Sequence, residues 1–288
     1  MPHIYVCSPS KPIDPNLSNP TTSIEILNQL GYDVTLSSHA LDNWGNISSP
    51  IAMRVSDLQE GFINPQYDIV MASVGGWCSN EILPHIDYKL IAKYPKPFIG
   101  MSDITTLCWN LWQKANIPTI YGLNLHHFAE DTPLSEFWQF QKTLASPLEF
   151  SGFTRKPIQE FQVYRSGRMS GPLVGGNLAV MCWLLGTPFA PEIPNGAILF
   201  LEDDIETNGY YWQMYLTHLK LAGAFEKISG LVFGQVDKGT VFQPKSSFKE
   251  ILDILVGEYD FPVLIEADFG HITNPISIPF GIYYELTI

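Results

Sequence analysis

A chain of 288 residues with 45% hydrophobic side chains has the surface and core material of one large domain or two ordinary ones. Its formal charge of -13, from 16 Lys+Arg against 29 Asp+Glu, repels phosphate backbones and anionic lipid surfaces, so nucleic-acid polymers and membranes drop out as partners. The four cysteines, Cys7, Cys78, Cys108 and Cys182, show no C-x-x-C pair. That fits reduced core thiols, and with no basic-then-apolar leader and no apolar run near ~18 residues, a cytoplasmic protein is expected.

Ile4 to Cys7 reads as a first strand, and Thr21 to Leu30 as a helix whose stripe of Ile24, Ile26, Leu27 and Leu30 stops at Gly31. Val34 to Leu36 is the next strand, Arg54 to Phe62 a helix, Tyr67 to Ser73 a buried strand and Pro97 to Gly100 another. Ile104 to Ala115 is a helix with Leu107, Cys108, Leu111 and Trp112 on one side; a strand at Thr119 to Gly122 and a helix at Leu134 to Leu144 follow. Short apolar strands alternating with helices predict a parallel, doubly wound sheet whose ligands bind at the strands' carboxyl ends.

Residues 149–170 hold Gly152, Pro157 and Gly167 around one strand-like piece, Phe161 to Tyr164. They predict a linker between a domain at 1–148 and a second at 171–288. In the second domain Gly175-Gly176-Asn177 opens a helix through Leu185. Strands are expected at Ala197 to Glu202, Gly230 to Phe233, Pro262 to Glu266 and Gly281 to Leu286, and helices at Tyr211 to Leu221 and Phe248 to Leu255.

Several residues admit a chemical reading beside a structural one. Ser102 opens a helical pattern just after Gly100, a strand-turn-helix junction that can expose a nucleophile, and a serine there also serves as a helix cap. Glu202 ends its strand and begins Glu202-Asp203-Asp204-Ile205-Glu206, which reads as solvated charge, a hard-cation site or an orienting carboxylate for a histidine. His271 lies in the loop Phe269-Gly270-His271 to Pro275, where an imidazole can titrate near neutral pH. His126-His127, adjacent in an extended segment, would point in opposite directions and chelate poorly. Gly75-Gly76 and Gly175-Gly176 either let backbone amides approach a ligand or form ordinary turns. Gly75 to Asn80 is neither a phosphate loop nor a dinucleotide fingerprint, so nucleotide hydrolysis and dinucleotide redox chemistry lack their signatures.

Together, Val74-Gly75-Gly76 with Ser79-Asn80, Ile99 to Asp103, Gly171 to Asn177, Leu199 to Asp203 and Phe269 to His271 resemble the serine peptidases of the LD-carboxypeptidase and microcin self-immunity family. Arg54 to Leu58 is similar as well, and the resemblance runs through nearly the whole chain. It implies an amino-terminal flavodoxin-like α/β domain, a smaller carboxy-terminal α/β domain, an active site in the cleft between them and a homodimer. It carries a catalytic triad onto Ser102, Glu202 and His271. It also implies an oxyanion hole at the N–H groups of Gly76 and Asp103, and substrate contacts at Gly75, Trp77, Ser79, Asn80 and Asn177. No metal or cofactor is implied.

The family's substrates are murein tetrapeptides, cut at an L,D bond before the terminal D-alanine, and amides joining an aminoacyl or peptidyl group to a nucleotide antibiotic. The Gly-Gly turn with Ser79-Asn80 looks more like the microcin branch, although Cys78 stands where that branch carries Asn. The short segment just before Gly171 has no tryptophan to stack on a base, leaving Phe161 or Tyr164 for that part, and Leu123 replaces a common proline. Two other classes stay open: a peptide or small-acid binding protein without catalysis, and a metal-dependent hydrolase using Glu202, Asp203 and Asp204.

Overall fold

The computed structural model describes the chain except residues 15–18, 131, 155–161, 205–207, 237–239, 241 and 243–246. Two compact units emerge, Met1–Glu149 with Ser277–Pro279, and Phe150–Ile276 with Phe280–Ile288.

In the first unit β1 (His3–Cys7), β2 (Asp33–Leu36), β3 (Ile69–Ala72), β4 (Phe98–Gly100) and β5 (Thr119–Tyr121) are parallel, in the order β2-β1-β3-β4-β5. This is the flavodoxin-like strand order, which reverses direction between β1 and β3. Parallel neighbours need crossovers, supplied here by α1 (Pro20–Gln29), α2 (Ile51–Ile63), α3 (Tyr88–Ile91) and α4 (Thr105–Ala115), while α5 (Trp138–Ala145) follows β5. The start of α1 is set by Asn19, whose side chain accepts from the Thr21 N–H at 3.0 Å, with Pro20 in the first turn. Its Ile26 and Leu27 join Ile4, Val6, Met71, Ile99 and Ile120 in one buried cluster with Phe128, Phe137 and Phe140. The carboxyl ends of β1, β3 and β4 therefore lead directly into Ser8 to Ser10, Ser73 to Gly76 and Ser102.

The second unit has β6 (Gln162–Arg165), β7 (Arg168–Asn177), β8 (Ala197–Glu202), β9 (Ile228–Gly234) and β10 (Val263–Ala267). The short β11 (Ile278–Pro279) belongs to the first unit, antiparallel to β5. With β12 (Tyr283–Thr287) the second sheet runs β12-β7-β8-β9-β10-β6, parallel from β7 to β10 and antiparallel at both edges. Its helices are α6 (Leu178–Leu184), α7 (Gly209–Leu221) and α8 (Phe248–Val256). Trp212 of α7 and Phe248 of α8 meet Phe233 of β9 edge-on, forming an aromatic part of the core.

The stretch expected as a linker carries the strand-like piece read there and the start of a longer strand that was not expected. Gln162–Arg165 forms an edge strand, and residues 168–177 form the longest strand of the unit. Phe161 lies outside the described residues. Gly175, expected at the mouth of a helix, is inside β7, where an added Cβ would fall 1.8 Å from the Phe200 carbonyl oxygen. The glycine is there because β7 and β8 pack backbone to backbone. Gly175→Ala is therefore expected to destabilise the protein by about 3 kcal/mol, since the clash is with a strand rather than a movable side chain. A urea-unfolding midpoint equal to the parent's would contradict this account.

Candidate active site

Ser102 follows β4 and begins a single 3₁₀ turn, Ser102–Ile104, that leads into α4. Its φ is +65°. A non-glycine residue in the left-handed region costs about 1–2 kcal/mol and persists only where its surroundings impose it. Those surroundings are identifiable. The Ser102 N–H donates to the Tyr121 hydroxyl at 3.1 Å, and its carbonyl accepts from Thr105 Oγ1 at 2.6 Å. The caps of the 3₁₀ turn and of α4 are Met101 and Ile104, neither with a side-chain hydrogen bond, so Ser102 is not their capping side chain.

Gly75 and Gly76 lie against this turn. A Cβ on Gly75 would sit 2.9 Å from Ser102 Cβ, and one on Gly76, at φ +143°, would sit 2.4 Å from Ser10 Oγ. Only glycine gives that approach without moving the serine. Among the described residues the Gly76 N–H has no protein acceptor.

The residue after Ser102 ties the surrounding loops together. Asp103 is 1% exposed, and its Oδ2 accepts from Ser10 Oγ at 2.5 Å and from the Ser79 N–H at 2.8 Å. Ser79 Oγ donates back to the Asp103 carbonyl at 2.8 Å. Burial pushes the Asp103 carboxyl above the usual carboxylate range, against the lowering effect of those hydrogen bonds. A buried guanidinium braces the same loops: Arg54, 1% exposed, donates to the carbonyls of Ser49, Pro9 and Cys78 and pairs with Glu81. Sequence reasoning connected the Arg54 segment with the site only by resemblance, and gave Ser10 and Tyr121 no part in it.

In the second unit, Glu202 ends β8 fully buried, and its Oε2 meets His271 Nδ1 at 2.7 Å. Gly270 permits the approach, because a Cβ there would lie 2.9 Å from Glu202 Cβ. Burial pulls the imidazole pKa down, but the Glu202 carboxylate, its hydrogen bond and the charges of Asp204 and Asp203 outweigh it and raise it to about 9. Nδ1 is thus committed to Glu202, which fixes the orientation of the ring.

Other expected site residues take different places. Asn177, expected at substrate, is 3% exposed; its Nδ2 donates to Glu202 Oε1 at 3.3 Å and Asp203 Oδ1 at 3.1 Å, and its Oδ1 caps α6 at Val180. Ser79 is likewise buried, on Asp103 and Thr106. Trp77 and Asn80 are exposed. Asp203 is a buried structural carboxylate accepting from the Ala179 N–H at 3.1 Å, which corrects its reading as solvated charge; Ile205 and Glu206 lie outside the described residues. The His126 and His127 rings sit in a 3₁₀ helix with centroids 3.9 Å apart, so they do not diverge as an extended segment requires. Among the described residues no three His, Cys, Asp or Glu side chains gather as metal ligands. No described helix is long and apolar enough to cross a membrane.

Comparison with known proteins matches the same regions. Residues 4–122 fit the LD-carboxypeptidase N-terminal domain and residues 170–286 the LD-carboxypeptidase C-terminal domain. A probable murein peptide carboxypeptidase of Bacillus subtilis is 30% identical over 286 residues, covering 96% of this chain and 86% of that protein. The microcin C7 self-immunity protein MccF of Escherichia coli is 29% identical over 260 residues, covering 82% of this chain and 75% of its own length. A solved structure of MccF in complex with glutamyl sulfamoyl guanosine superposes with a TM-score of 0.88 at 25% identity, covering 99% of this chain and 93% of that one. With both domain models matched and homology along most of its length, the chain belongs to the LD-carboxypeptidase family of serine peptidases.

Proposed function

We propose that this peptidase hydrolyses the amide bond of a short peptide or of an aminoacyl- or peptidyl-nucleotide through an acyl-enzyme on Ser102. His271 acts as the acid–base and Glu202 orients it. Ser102 Oγ adds to the carbonyl carbon as its proton passes to His271 Nε2; the imidazolium returns that proton to the amide nitrogen as the C–N bond breaks. Water then attacks the ester by the same proton relay, releasing the acid and restoring Ser102. The N–H groups of Gly76 and Asp103 receive the oxyanion, each donor being worth ~2.7–4 kcal/mol in such sites.

The observation that carries this reading is the 2.7 Å bond between Glu202 Oε2 and His271 Nδ1, which commits the imidazole to one orientation. The Ser102 turn at φ +65° supports it from the other unit. The relatives leave two substrate classes in play. Tyr164, considered for base stacking, donates its hydroxyl to Asp253 at 2.6 Å and has the Arg165 guanidinium 5.5 Å from its ring centroid. The reading also includes a cytoplasmic homodimer.

The test is a parallel mass-spectrometric assay of the purified protein against a murein tetrapeptide with an L,D bond and an aminoacyl sulfamoyl adenosine. Release of the amine from at least one, with fluorophosphonate bound at Ser102, is expected. Intact substrates and an unlabelled serine would favour the binding-protein alternative.

A further inference from the structure

The ammonium of Lys11 lies 5.2 Å from the centroid of the Trp77 ring. Its stem packs on the turn expected to bind the oxyanion: a Cβ on Gly76 would lie 2.9 Å from Lys11 Cβ and 3.0 Å from Cγ. The Lys11 N–H reaches the Gly75 carbonyl at 3.4 Å. Ser102, Gly75, Gly76, Lys11 and Trp77 are thus neighbours in the first unit. Among the described residues Lys11 has no carboxylate partner. Arg54, the cation that braces the same loops, is spent on Glu81 and three carbonyls. Trp77 is 51% exposed, an unfavourable placement for an indole that the cation above it helps to explain.

In a peptide cut before its last residue, the terminal carboxylate carbon lies about 2.5 Å from the scissile nitrogen, two bonds away. It must therefore lie beside the oxyanion site. In a chain of net charge -13, an anionic end group needs a local cation to be favoured there. We propose that Lys11, held over Trp77, is the group that recognises the free carboxylate of the leaving amino acid and so makes this site select for the end of a peptide. This rests on Ser102 marking the reacting centre.

The test compares a tetrapeptide ending in an L-residue–D-alanine bond, as free acid and as C-terminal amide, on Lys11→Met and Lys11→Arg proteins. Binding is measured calorimetrically in the Ser102→Ala background and hydrolysis in the Ser102 background. Lys11→Met is expected to weaken binding and raise KM about tenfold for the acid, the size of one partly exposed charge-assisted contact. The amide should change less than twofold, and Lys11→Arg should keep most of the preference. An acid-to-amide ratio unaffected by Lys11→Met, or no binding of the acid by any of the proteins, overturns the proposal. Hydrolysis that survives Ser102→Ala overturns the serine reading instead, and the binding ratio still decides Lys11.

Discussion

Ser102→Ala is expected to reduce kcat on the order of 10⁶-fold while leaving the fold intact, because the proposed acyl-enzyme has no other oxygen on which to form. The stability side follows from the backbone. Alanine meets the same steric cost at φ +65° as serine, and Tyr121 and Thr105 hold the turn through backbone atoms of residue 102 that the substitution keeps. The melting temperature should therefore stay within about 3 °C of the parent's. Ser102→Gly relieves about 1 kcal/mol of left-handed strain, offset in part by the glycine's greater freedom in the unfolded chain, so it should melt no lower than Ser102→Ala. A helix-capping serine gives the opposite pattern, with about 1 kcal/mol lost in Ala and activity retained. Calorimetry and turnover on the two variants separate these outcomes.

The two groups of candidate residues were unequally legible in the sequence. The junction at Ser102 shows itself because an apolar strand stops at Gly100 and a helix-period pattern begins within a few residues, all of it local. β8 is equally plain, an apolar run whose observed bounds, Ala197–Glu202, are those expected. β7 is hidden by its own packing. Gly171, Pro172, Gly175 and Gly176 lower strand propensity, yet the glycine at 175 is required by a carbonyl on β8 that no local pattern reveals. The same holds for contacts between remote positions. Ser10 meets Asp103 across 93 residues and Glu202 meets His271 across 69; residue chemistry offered Glu202 as a carboxylate for some histidine without picking His271, and gave no reason to join Ser10 to Asp103. The second was reached through family resemblance, the first not at all. The acidic run after Glu202 misled for a related reason. Charge composition says solvent, but Asn177 and the first turn of α6 bury Asp203 by satisfying its oxygens.

Glu202→Gln is expected to lower the plateau rate on the order of 10⁴-fold, the size of effect seen when a triad carboxylate becomes an amide and the imidazole takes the wrong tautomer. Glutamine keeps the shape and can still accept from Asn177, but an amide N–H facing His271 Nδ1 turns that nitrogen into an acceptor. The proton then sits on Nε2, where the proposed base must be empty. The pH dependence gives a second, independent reading. With the His271 pKa at about 9, kcat/KM of the parent should climb about tenfold per pH unit from 6 to 8 and level off near 9, since the neutral imidazole is the active form. Removing the Glu202 charge leaves burial opposed only by Asp204 and Asp203, so the midpoint must fall. The linked stability has the same sign. Because the folded pKa lies above the ordinary value of 6.5, the stabilisation from the charged pair is complete below about pH 6.5 and is lost as pH rises through about 9. The stability gap between parent and Glu202→Gln should accordingly be widest at pH 6 and narrow toward pH 10. A variant whose kcat/KM midpoint stays near 9 would show that Glu202 does not set the proton affinity of His271, and the orienting role assigned to it would fall.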